Sequence, residues 1–208
     1  MEGYSPKSSR DNLNTIICRL RKLLGRGKEY IATDADSIRL IEGTYTIDID
    51  KYTEYIRYGE IAEKKGDITA ALNFYRKASY LYSDDFMAKD LYYDDIHDER
   101  ERLKNGYIHF LFKVAKMGLD TGNFFYTIEG AKKLISKNPI CESAHRLLMI
   151  ASAISGNRSE IPRIFNTLNE KLSCDYDIQA DPKTVELKNR LLSGEIPEPS
   201  MWQDEILI

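Results

Sequence analysis

Cysteine is scarce in this 208-residue chain, and Cys18, Cys141 and Cys174 stand far apart and odd in number. That excludes a disulfide framework and fits a reducing compartment, so a cytoplasmic protein is expected. Long apolar runs are missing too. No stretch approaches the length that spans a bilayer, and Lys7 and Arg10 have no apolar segment behind them. Neither export nor a membrane partner is therefore expected. Catalytic signatures are absent as well: there is no glycine-rich phosphate loop, no His-Glu-x-x-His, no Cys-x-x-Cys and no serine in a nucleophile elbow. His97 sits among Asp94, Asp95, Asp98 and Glu99, but acidic residues belong at a helix start, where the dipole favours them. Cys141 and His145 share one helical face as half of a zinc site, with no second half in sequence, so a core or capping role is the better reading. The chain is read as no enzyme, with no cofactor and no metal.

With 42% hydrophobic and 30% charged residues, the composition is that of an ordinary globular chain, long enough for one or two cores. The net charge of −3 conceals an asymmetry. Residues 1–30 hold seven basic and three acidic side chains, so the remainder carries all of the negative excess. Counterion release rewards the basic end alone, and a polyanion should be met there.

That end contains an amphipathic helix. Leu13, Ile17, Leu20 and Leu24 recur at the three-and-four spacing of one face, widened by Ile16 and Leu23. The other side is Arg10, Asp11, Asn14, Thr15, Cys18, Arg19, Arg21 and Lys22. Pro6 stops anything helical before it, Ser8 or Ser9 can cap the first amides with Asp11 in the first turn, and Gly25 closes the helix in a left-handed conformation. Beyond the basic turn of Arg26 and Lys28, Glu29–Thr33 and Ser37–Leu40 read as the strands of a hairpin. Thr44–Asp50 alternates like another short strand.

From Lys51 onward the pattern is helical, with helices expected at 51–65, 68–83, 94–120, 124–137, 140–155, 159–173 and 182–193. Three of these end in a glycine followed by a residue able to cap the next: Gly66-Asp67, Gly122-Asn123 and Gly156-Asn157. The last two glycines are 34 residues apart and the first two 56, the same period lengthened by an insertion of 22 beginning at Asp84. Thirty-four is the tetratricopeptide (TPR) length. Gly59, Ala71, Tyr75 and Ala78 fill the close-approach positions of the first repeat, and Ala115, Thr127, Ala131, Leu134 and Pro139 those of the second. Phe165 and Leu168 match in the third by class, Ile161 does not, and Pro162 must lie in the first turn of its helix. Among the fourteen tyrosines, Tyr52 and Tyr75 are read as packing residues, and Tyr92 and Tyr93 as a protein-interaction surface. The tail from Gly194 has no helical period, and its Met201, Trp202, Ile206, Leu207 and Ile208 are expected to dock on an apolar surface.

The amino-terminal stretch, through Leu13, Ile17, the Arg19-Leu20-Arg21-Lys22 run, Leu24-Gly25 and the hairpin ending Ile38-Arg39-Leu40, is similar to the end of the winged helix-turn-helix of OmpR-type regulators and Streptomyces antibiotic regulatory proteins. The Gly66-centred pair, the acidic Asp98–Leu103 run, Asn138-Pro139 with Glu142, Ala144, His145-Arg146 and Leu148-Met149, and then Gly156-Asn157 resemble the bacterial transcriptional activator domain of the same regulators. The resemblance implies an all-α fold: a TPR-like α-solenoid preceded by a partial winged helix, meaning a recognition helix plus a hairpin wing. It divides the chain into 1–43, 44–193 and a tail of 194–208. It implies a transcription regulator whose repeat domain mediates homodimerisation or meets RNA polymerase or another regulatory protein. Only seven residues precede the helix, so the chain is expected to be the carboxy-terminal part of a longer regulator, with weak or no specific DNA binding of its own. With the missing half restored, Arg10, Asn14, Thr15, Cys18 and Arg19 would face base edges, and Arg21, Lys22 and Lys28 phosphates. The rival reading is a TPR-type protein–protein scaffold without DNA binding.

Overall fold

The computed structural model describes residues 6–25, 27–34, 37–82, 84–88 and 96–202. Tyr92, Tyr93, Ile206, Leu207, Ile208 and the side chain of Lys28 lie outside the described residues. Contacts divide the chain into two units, Met1–Lys51 and Tyr52–Ile208.

In the first unit, helix α1 (Pro6–Leu23) is followed by a single turn α2 (Gly27–Tyr30) and a hairpin of β1 (Ile31–Thr33) and β2 (Ile38–Leu40). The strands are antiparallel, with Ala32 opposite Arg39. Three expectations need correction. Helix α1 opens at Pro6, so Ser8, Ser9 and Asp11 fall inside it; proline suits a first turn because its missing N–H needs no partner there. Glu29 and Tyr30 belong to the turn α2 rather than to a strand. The alternating Thr44–Asp50 forms no strand: α3 begins at Asp48, and Asp48 and Asp50 occupy its first turn, where the dipole favours carboxylates over any period-two pattern.

The second unit is built from helix pairs. Helix α3 (Asp48–Lys64) runs into it and pairs with α4 (Ile68–Leu81), α5 (His97–Asp120) with α6 (Phe124–Lys137), and α7 (Glu142–Ile154) with α8 (Ile161–Tyr176). Helix α9 (Pro182–Ser193) packs against α7 and α8 at the end. The fold is thus predominantly helical, with one short two-stranded sheet among the described residues.

The three intra-pair turns are built alike. The N–H of Asp67, Asn123 and Asn157 reaches back to the carbonyl of Ala62, Gly118 and Ser152 at 3.0, 2.8 and 2.8 Å. The glycines between take φ of +79, +72 and +81°. This is the Schellman ending, which needs a left-handed residue at that point. Capping of the next helix differs: Asp67 accepts from the Ala70 amide at 2.9 Å, whereas Asn123 and Asn157 make no side-chain cap. Their backbone carbonyls accept instead, from Tyr126 and Glu160, the second through a short 3-10 turn at Arg158–Glu160 that precedes α8.

Most close-approach positions are buried as the repeat pattern requires, whereas Phe165 is half-buried and Pro139 exposed. A Cβ on Gly59 would sit 2.2 Å from the Tyr75 ring, so only glycine lets α3 and α4 come this near. Ala71, Tyr75, Ala78, Ala115, Thr127, Ala131, Leu134, Ile161 and Leu168 are all buried, and Pro162 lies in the first turn of α8. Around Tyr52 and Tyr75 an aromatic cluster fills the first interface, with Tyr82 stacked on Tyr107 at 4.1 Å and Phe110 edge-on to Tyr75 at 5.5 Å. The Glu63 carboxylate joins three helices, accepting from Lys113 and from the Tyr75 hydroxyl, each at 2.7 Å. From the start of α5, Arg100 donates to the carbonyls of Phe86 and Met87 at 2.8 Å each and so ties down the described part of the insertion. In the tail, Trp202 is buried in the α7–α9 core and donates to the Pro197 carbonyl at 2.8 Å, while Met201 stays exposed.

Candidate nucleic-acid interface

Helix geometry sorts the basic end into three faces, because successive side chains are turned by about 100°. One face meets the hairpin. Ile17, 7% exposed, is its apolar centre. Arg21 donates from Nη2 to the Ile31 carbonyl at 2.8 Å and to Thr33 Oγ1 at 3.1 Å. Arg10 and Asn14, on the same side, line a concavity with Thr33, Asp34, Ser37 and Ile38.

A second face is open and polar. It carries Thr15, Cys18, Arg19 and Lys22, all exposed; Thr15 turns its hydroxyl back onto the Asp11 carbonyl at 2.9 Å, and Cys18 is a free thiol. The third face is apolar and uncovered. Leu13, Ile16, Leu20, Leu23 and Leu24 are exposed, Leu23 to 84%, so of the stripe read from sequence Ile17 alone is buried. The hairpin lies to one side of that stripe and is too small to cover it.

The residues proposed for DNA contact are therefore not one surface. Arg19 and Lys22 project freely with Thr15 and Cys18, while Arg21 is occupied in fastening helix to hairpin. Arg39, which the sequence reading left unassigned, projects from β2 and pairs with Asp34 at 3.9 Å, both side chains largely exposed. Its signal was a basic residue at the centre of a wing strand.

The histidines resolve plainly. His97 is exposed at the acidic start of α5, with Asp98 and Glu99 in the first turn. His145 is buried in α7, its Nδ1 3.0 Å from the Cys141 carbonyl. Among the described residues no group of three or more histidine, cysteine or carboxylate side chains is placed to hold a metal, and no helix is long and apolar enough to cross a membrane.

Paired helices closed by like turns, preceded in sequence by a basic helix and hairpin, define a helical-repeat protein. The chain belongs to the bacterial transcriptional activator domain family, which matches residues 47–192. Among solved structures it is similar to Mycobacterium tuberculosis EmbR in complex with low affinity phosphopeptide, with a TM-score of 0.60 and 18% identity over 98% of this chain and 54% of that one. The chain thus spans about half the length of that structure, and the likeness is one of fold. No curated protein matches the chain.

Proposed function

We propose that this chain is part of a DNA-binding transcription regulator, with α1 as the helix that enters the major groove and the hairpin as its wing. The observation that carries this reading is the open face of α1: Arg19 and Lys22 flank Thr15 and Cys18, and the hairpin of the same unit leaves all four exposed. Membership of the transcriptional activator family over residues 47–192 supports the regulator part of this reading. Thr15, Cys18 and Arg19 on the open face are assigned to base edges and Lys22 and Lys28 to phosphates; Arg10 and Asn14 are proposed to meet base edges from the flank that faces the hairpin, and Arg21 a phosphate from a position where it also holds the wing. The repeat domain then serves homodimerisation or contact with RNA polymerase or another regulatory protein in the cytoplasm, with Tyr92 and Tyr93 proposed for that surface.

The test, made on the longer regulator of which this chain is proposed to be part, is binding of a randomised duplex pool followed by titration at several salt concentrations. Arg19→Ala should change the preferred sequence, and Lys22→Ala should weaken all sequences evenly and reduce the salt slope by about one. Equal weakening of every duplex by both variants would overturn the assignment of roles.

The uncovered stripe Leu13, Ile16, Leu20, Leu23 and Leu24 favours a second reading, in which α1 docks onto a protein and the chain is a TPR-type interaction scaffold. Absence of any duplex binding at about 50 mM salt, where non-specific phosphate contact is strong, would select it.

A further inference from the structure

Helices α4 and α6 are neighbours in the repeat domain: Tyr126 donates to Asn73 Oδ1 and Lys133 to Ser79 Oγ, each at 2.9 Å. Together the two helices hold Arg76, Lys77, Lys132, Lys133 and Lys137 against one carboxylate, Glu129. Residues 52–208 as a whole are net acidic, with 21 basic and 25 acidic side chains. The pair is therefore a positive island on a negative unit, and such a field selects a partner of the opposite sign.

Two large rings stand open on this island. Tyr80 and Phe125 are 59% and 54% exposed, and the Arg76 guanidinium packs on both, 5.5 Å from the first ring centroid and 5.0 Å from the second. Lys133 Nζ sits 4.4 Å from the centroid of Tyr80. The stack is held in place: Arg76 Nη2 donates to the Tyr80 hydroxyl at 3.3 Å, Nε faces Glu129 at 3.6 Å, and Glu129 also pairs with Lys133 at 3.4 Å. The remaining nitrogen, Nη1, has no such contact among the described residues, and the Arg76 side chain is 41% exposed.

Aromatic and arginine side chains are the types that interfaces enrich, and a set already stacked has little rotamer freedom left to lose on binding. The rings offer an apolar body, and the free edge of Arg76 offers a donor to an anion.

We propose that this surface binds an acidic segment of a partner protein in which aromatic or aliphatic side chains stand between carboxylates. One carboxylate accepts from Arg76 Nη1, and an apolar side chain lies across Phe125 and Tyr80. Lys77 and Lys132, both exposed, draw the remaining charge through the field rather than by fixed contacts. This rests on the reading that the repeat domain meets another regulatory protein, and it adds the place and the chemistry of that contact.

The full chain, mixed with the labelled synthetic peptide Asp-Asp-Phe-Asp-Leu-Leu-Asp-Asp, provides the test by fluorescence anisotropy. Two companion peptides separate the contributions: one carries serine for phenylalanine and leucine, the other asparagine for aspartate. The parent should bind about tenfold more tightly than either, and less tightly as salt rises. Tyr80→Ala combined with Phe125→Ala, at two exposed positions, should lower its affinity about tenfold with unchanged circular dichroism. Arg76→Gln should bring the parent peptide close to the asparagine one, and Lys183→Glu on α9 should change nothing. Equal affinity of the three peptides, no binding below about 1 mM, or equal weakening by Lys183→Glu and the ring variant would overturn the proposal. So would two other results: oligo-dT bound tightly and lost in the ring variant, which makes this a stacking platform for nucleic acid, or a dimer by light scattering that the ring variant dissolves. Duplex titration reads α1 and the peptide reads α4 and α6, so either reading can fail without the other.

Discussion

At the scale of single residues, two buried side chains set expectations that can be measured. Gly59 is the contact point of α3 and α4, and the Cβ of alanine would press into the Tyr75 ring. Gly59→Ala should cost about 1–3 kcal/mol, the usual penalty for overpacking, seen in urea titration as a lower midpoint at unchanged slope. In α7, the buried Arg146 donates from Nη1 to Thr184 Oγ1 at 2.7 Å and from Nη2 to Ser143 Oγ at 3.3 Å. Thr184 in turn donates to Glu142, whose carboxylate also accepts from the Asp181 amide at 3.0 Å. Thr184→Val strips a hydrogen bond from a buried charge and should cost about 2 kcal/mol. Adding Arg146→Met should recover part of that, because the charge no longer needs its partners. A double-mutant cycle by thermal melting checks the coupling.

His145 gives a pH dependence whose sign follows from burial. Its folded pKa lies below the ordinary value of 6.5, so the unfolded chain takes up the proton first as pH falls. Stability from this group is therefore complete above about pH 6.5 and declines as pH drops through the folded pKa. Glu63 adds a separate, more acidic window. Burial pushes its carboxyl up, but the hydrogen bonds from Lys113 and Tyr75 more than reverse this, so its pKa lies below 4.5. Denaturant midpoints between pH 7 and 5 should fall for the unaltered chain and flatten for His145→Gln.

At the scale of elements, the helical pairs were legible because their information is local. The glycines ending α3, α5 and α7, and the small residues at Gly59, Ala71 and Ala78, act within a few residues or across one hairpin. What escaped the sequence depends on partners far along the chain. Arg21 looked like a phosphate contact because it stands on the polar side of α1, and only the position of the hairpin shows its bond to the Ile31 carbonyl. Thr44–Asp50 failed for another reason: its alternation is the same string that places Asp48 and Asp50 at a helix start, and two periods competed over too few residues. If Arg21 fastens the wing, Arg21→Ala should broaden amide resonances of Ile31–Thr33 and Ile38–Leu40 while those of α4–α9 stay unchanged.

At the scale of the whole chain, the two units have different means of support. The apolar clusters of the second unit run through successive helix pairs from Tyr52 to Trp202. Among its described residues the first unit has Ile17 and Ile31 as buried apolar side chains. Limited proteolysis should therefore cut first in the largely exposed 41–47 segment and leave a fragment that includes all of α3–α9 and keeps most of the helical circular dichroism. A first cut within α5–α7 would contradict this division.

Trp202 is the chain's sole tryptophan, and it is held where the row of helices finishes. Its emission is thus a gauge of one extremity. In a stack whose members touch only their neighbours, that extremity can fray while the middle holds. A red shift on warming that precedes the loss of ellipticity would mark the departure of the last helix and its strap, and the temperature gap between the two curves would measure how loosely the row is closed.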